Sequence, residues 1–223
     1  MTNKKDMRFS KADQAIQDSF LELLKKNEFS KISVKKIIDE AGINRSTFYA
    51  HYLDKYDLMD KIQDSLLDSL ISDLPDVDWT TQGPLVEQFQ QRSIHIVQNI
   101  NQHRELVALM LSDNAGHTFE SHLQERGMET FSSAIDDEHL AIPRDYAMVL
   151  LTSIVSTMLT TWVKKDFAES TEEFTNIIKE IMPKVVVQLI KWPTLVLKLF
   201  INSIYPTFNQ RLLVFLFFKT PYT

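Results

Sequence analysis

Arg45, Ser46 and Thr47 follow one another directly behind Asn44, a short polar residue of the kind that caps helices, and close behind Gly42. A helix opening with these side chains exposes hydrogen-bonding groups at its first turn, the end that enters a DNA major groove in helix-turn-helix proteins. The Arg45 guanidinium is a planar fork matched to O6 and N7 of guanine, a geometry that a lysine ammonium lacks, and it is the leading candidate base reader. Ser46 is placed beside it. Thr47 offers either its methyl to thymine or its hydroxyl to a phosphate, and residue type alone does not choose. Lys55 falls in the first turn of a further helix, where a cation adds to the partial positive charge of the helix end and favours phosphate. Ser33 and Lys35, opening an earlier helix, are the matching anchors on the other side.

Positioning these groups takes a compact set of helices. The apolar spacing predicts a first helix over about 10–26, with Phe9, Ala12, Ile16, Phe20, Leu23 and Leu24 on one buried face. A second, capped by Ser33, buries Val34, Ile37, Ile38 and Ala41 and stops at Gly42; a third, capped by Asn44, reaches about Tyr52 around Phe48. A glycine turn between two short helices is the helix-turn-helix pattern. A fourth helix runs from near Asp54 to about Leu74 without a glycine or proline to absorb motion. Pro75, residues 76–78, Gly83 and Pro84 then mark a loop, read as the main hinge. Further helices are expected at about 84–101, 104–112, 117–135, 144–166 and 171–191, the last kinked at Pro183.

The expected fold is therefore all-α. A three-helix DNA-binding domain spans 1–54, a larger helical effector-binding and dimerisation domain spans 55–191, and an apolar extension occupies 192–223. The extension carries three prolines and two apolar runs too short to span a bilayer, and reads either as an extra packed helix or as an addition outside the domain.

Composition narrows the function classes. The four glycines are too scattered for a dinucleotide or phosphate-binding loop, and the absence of cysteine rules out disulfides and thiolate metal sites. Six histidines include no i, i+4 pair with a third ligand, and no nucleophile–base arrangement stands out, so neither metal, cofactor nor enzymatic activity is expected. The N-terminus has no secretory pattern, and a cytoplasmic location is expected. The net charge of −6 is unevenly divided: residues 1–55 hold 11 Lys and Arg against 8 Asp and Glu, the remainder 13 against 22. A basic head on an acidic body turns the N-terminal end toward nucleic acid.

The stretch from Gly42 to Leu58, with Thr47, Phe48, Tyr49, His51, Tyr52, Lys55, Asp57 and Leu58, resembles the recognition-helix signature of the TetR family, with Phe in a Leu slot and Tyr in a Phe slot. The resemblance covers about residues 9–60. It implies a regulator that binds a double-stranded operator as a homodimer, and it implies that Tyr49 and His51 clamp the DNA backbone. The favoured expectation is a repressor released from a palindromic operator by an effector. An activator or a co-regulator that binds a partner protein is the alternative, with a helical enzyme a distant third.

The C-terminal part carries weaker signals. The segment Tyr146–Val163 is apolar on nearly every side and, with the seam Phe174, Ile178, Ile181, Val185 and Leu189, suits a subunit interface. Its hydroxyl residues, Thr157 among them, either line a pocket or let helices approach. Met110, Phe119, Leu123, Phe131, Thr157, Met158 and Trp162 are the candidate lining of a site for a lipophilic effector. No membrane partner is expected.

Overall fold

The computed structural model describes residues 4–75, 85–189 and 191. Among these, nine α-helices form: α1 (Lys4–Lys26), α2 (Val34–Ala41), α3 (Arg45–His51), α4 (Lys55–Ile71), α5 (Leu85–Gln102), α6 (Arg104–Met110), α7 (Thr118–Ala134), α8 (Arg144–Lys164) and α9 (Thr171–Leu189), with short 3-10 turns at Phe29–Lys31 and Asp137–His139 and no β-strand. The expected loop over 76–84 and the extension over 192–223 lie outside the described residues.

The head forms where capping residues and apolar spacing agree. Ser33 Oγ accepts from the Lys36 N–H at α2, and Gly42, at φ 63°, closes that helix in the left-handed conformation with its N–H on the Ile38 carbonyl. Asp54 Oδ1 accepts from the Tyr56 and Asp57 N–H groups, while Asp57 Oδ2 accepts from the Leu53 N–H at 2.8 Å, so two carboxylates cap α4 reciprocally. That Leu53 N–H bond holds the Asp57 carboxyl below its usual pKa. Ile16, Phe20, Leu24, Ile37, Phe48, Tyr52 and Leu58 are buried as the head's core.

Phe9 differs from its expected place. The first helix starts at Lys4, earlier than about Ser10, and Phe9 is 54% exposed and stacks on the His51 ring at 3.7 Å. Its partner is an imidazole at the end of α3, which no periodicity within α1 encodes.

In the larger part, α7 lies against α8 with Gly127 facing Thr152, whose methyl would be in ordinary contact with a β-carbon at that position. The Thr152 hydroxyl itself donates back to the Met148 carbonyl within α8 at 2.8 Å. Trp162 stacks on Phe174 at 4.3 Å, meets Phe167 edge-on at 4.9 Å and donates from Nε1 to the Glu169 carbonyl, binding the α8–α9 turn to the core. Helix α9 continues through Pro183. A proline has no N–H to give the carbonyl four residues back, Lys179, and Gln90 Nε2 from α5 donates to that oxygen at 3.2 Å instead. Helix α8 is long and apolar enough to cross a membrane, yet it packs as a core helix, with Ala147, Met148, Leu151, Leu159, Trp162 and Val163 buried.

Candidate nucleic-acid interface

Helix α3 is held from both ends and one flank. At its start Asn44 Oδ1 accepts three hydrogen bonds: from the Thr47 N–H at 2.7 Å, the Ser46 hydroxyl at 2.7 Å and the Thr47 hydroxyl at 2.8 Å. An amide oxygen only accepts, so both hydroxyl protons are committed inside the protein. What remains for an outside partner is the Ser46 and Thr47 hydroxyl oxygens as acceptors and the Thr47 methyl.

Arg45 is exposed and has no acidic partner; its guanidinium lies over the Tyr49 ring at 5.4 Å, one turn along. Tyr49 is itself braced edge-on by buried Phe48. Arg8, Lys11 and Lys35 are likewise exposed and without ion pairs, whereas Lys164, Lys165 and Lys184 in the larger part each pair with a glutamate.

At the far end of α3, Tyr52 donates to Asp13 at 2.6 Å and accepts from Gln17 at 3.0 Å, while Lys61 donates to the His51 carbonyl at 3.1 Å. Burial first, and the Asp13 hydrogen bond second, raise the Tyr52 hydroxyl well above its usual pKa, so it stays a donor. Asp13, Gln17 and Lys61 were not among the expected site residues. Tyrosine in a phenylalanine slot was the available signal, because a buried hydroxyl requires a partner.

Two expected phosphate contacts are placed otherwise. The His51 side chain is only 3% exposed, covered by Phe9, with Nδ1 3.3 Å from Asp13 Oδ1. Lys55 directs its ammonium at the carbonyls of Phe29 (2.8 Å), Ile32 (2.8 Å) and Ser30 (3.4 Å) and sits over the Phe29 ring; burial lowers its pKa. Three donors meet three acceptors, and none is left for phosphate. Lys55→Met is therefore expected to destabilise the protein by about 1–3 kcal/mol by stranding carbonyls. Chemical denaturation measures that loss, and the salt dependence of DNA binding should keep its slope. A phosphate contact would instead lower that slope by about one per half-site.

The larger part holds an apolar cavity of about 60 Å³ among α4, α5, α7, α8 and α9. Of the seven expected lining residues only Leu123 and Phe131 reach it. Met110, Phe119 and Trp162 are buried in the core away from it, Thr157 is exposed on the opposite side of α8, and Met158 is half-buried. Ser93, Thr130, Thr152 and Ser156 supply its uncharged polar groups. Asp136, Glu138 and His139 bring possible ligand atoms within 4.8 Å of one another on a 3-10 turn, but both acids are exposed.

Residues 18–62 match the family described as bacterial regulatory proteins, tetR family, and residues 87–184 match that described as transcriptional regulator C-terminal region. The chain belongs to the TetR family. No curated protein matches it in sequence. Among solved structures it is similar to a TetR transcriptional regulator from Streptococcus agalactiae 2603V, with 25% identity, a TM-score of 0.60, and 78% of this chain and 95% of that one covered. It shares its fold with NalD, the secondary repressor of the MexAB-OprM multidrug efflux pump in Pseudomonas aeruginosa, at 14% identity and a TM-score of 0.58, covering 82% and 100%. The dihydroxyacetone kinase operon activator DhaS also shares the fold, at 14% identity and a TM-score of 0.53, covering 80% and 96%. As a TetR-family protein, the chain is a DNA-binding transcriptional regulator.

Proposed function

We propose that this TetR-family regulator is a cytoplasmic homodimeric repressor, without enzymatic activity, that leaves a palindromic operator when a lipophilic effector enters the sensor cavity. The observation that carries the reading is Arg45, exposed and unpaired on a helix braced by Asn44, Tyr52 and Lys61. Arg45 reads a guanine, Ser46 and the Thr47 methyl meet neighbouring base edges, and Tyr49, Ser33 and Lys35 hold phosphates. His51 and Lys55 act as braces of the head. Tyr146, Val149 and Leu150 of α8, with Ile177 and Ile181 of α9, form an exposed apolar face suited to a second copy. Ile154, further along α8, is partly buried against the core. A two-fold axis there would set two α3 helices about 34–36 Å apart, the spacing of successive major grooves.

Selection from a random-sequence duplex pool tests this. The enriched site should be palindromic, bind two chains, and lose affinity steeply as salt rises. Enrichment of a single asymmetric half-site bound by one chain would overturn the two-fold reading. Activation fits the same head, and the fold relative DhaS is described as an activator. Transcription from the selected site, with and without the protein, separates the two signs.

A further inference from the structure

The apolar cavity shares a wall with a second compartment. Between α4 and α7 lies a more open cleft of about 270 Å³ lined by Asp60, Asp64, His122, Glu125 and Glu129, and both spaces are bounded by Leu67 and Arg126. Arg126 is thus the partition. Its guanidinium pairs with Asp64 at 3.7 Å, with Asp68, and with Glu129 at 3.3 Å. In the cleft and at its rim, five carboxylates stand against one guanidinium and one imidazole. The acids fall on matching stripes, Asp60, Asp64 and Asp68 on α4 and Glu125 and Glu129 on α7, and Asp64, Asp68 and Glu129 stand at the solvent-open side of the gap.

We propose that this double compartment binds a lipophilic cation, with its apolar part in the cavity and its positive charge in the cleft, where Arg126 now stands. The charge balance selects the sign. A carboxylate head in the cleft would face five like charges for one cation that is already taken by three of them. The other cation in the cavity wall, Arg92, is engaged by the Pro75 carbonyl. A neutral lipophile would gain nothing from the cleft. The cavity alone matches about two water volumes, so a longer tail must move side chains aside, and Met182 in its wall is the most pliable of them. Displacing Arg126 would also cut the ion pairs that tie α7 to α4, the helix that carries the head. That the ligand acts as effector rests on the repressor reading above; its chemical class does not.

The test uses matched ten-carbon probes on the full-length protein below micelle-forming concentrations: decyltrimethylammonium, decanoate and decanol, followed by calorimetry. Decyltrimethylammonium should bind at least about 10-fold more tightly than either of the others. Arg126→Gln, which removes the internal competitor, should tighten it further, and the pair Asp64→Asn, Glu129→Gln should weaken it by a similar factor. Each variant's thermal melt shows that it is folded, and a variant that melts early is replaced by the single change Glu125→Gln, with weakening again expected. Equal or tighter binding of decanoate, no binding of any probe, or the same affinity in all variants would overturn the proposal. Binding in the expected pattern with no loss of the selected duplex would keep the ligand class and sink the effector reading.

Discussion

Arg45→Ala is expected to relax base preference at one position in each half-site while leaving the rest of the operator logo intact. A bidentate arginine–guanine contact discriminates by about 1–3 kcal/mol, and a dimer makes it twice, so the palindrome should lose between roughly 30-fold and roughly 20,000-fold in affinity. Arg45→Lys should recover charge without the fork and rescue little specificity. The Tyr49 ring under the guanidinium adds a second expectation: Tyr49→Ala should weaken the same position, because it frees Arg45 to explore rotamers before binding. Titration of duplexes changed at each position measures all three. A uniform loss across positions for Arg45→Ala would make it a phosphate contact and move base reading to another residue.

The second large effect is expected from Leu150→Glu combined with Ile177→Glu. Tyr146 is 69% exposed and Val149 and Leu150 46% each, along a helix whose other faces are buried. Charged groups at the centre of an apolar contact must be desolvated without partners, so the double variant should be a folded monomer by light scattering. Since neither residue is fully buried in the single chain, its thermal melt should persist, shifted by lost association alone. Palindrome binding should then collapse to weak half-site binding with a smaller salt slope, as fewer phosphates are neutralised per binding event. A dimeric double variant that still holds the palindrome would place the interface elsewhere.

The head was legible in the sequence because its signals are local. Ser33, Gly42, Asn44 and Asp54 act within four residues of themselves, and each caps or ends a helix where its type predicts. The sites of His51 and Lys55 were not legible, since what decides them comes from elsewhere in the chain: the ring of Phe9 and the carboxylate of Asp13 for one, the carbonyls of Phe29, Ser30 and Ile32 for the other. The start of α1 was missed for a related reason, as its first two turns carry mostly polar and charged residues and give no apolar period. In the larger part the all-apolar character of α8 was plain, but periodicity alone could not say which side faces the cavity. Thr157 and Thr152 differ by little more than one turn, yet one is exposed and the other lines the cavity.

Asn114, in the turn between α6 and α7, donates to the Leu24 carbonyl at 3.1 Å at the end of α1, and its own carbonyl accepts from the Phe29 N–H at 2.8 Å. Lys55 grips the same short stretch, Phe29 to Ile32, from α4. Helix α4 also holds the head through Asp57 on the Leu53 N–H and Lys61 on the His51 carbonyl. A turn 90 residues further along the chain thus clasps the end of α1, giving the larger part a hold on the head that does not pass through α4.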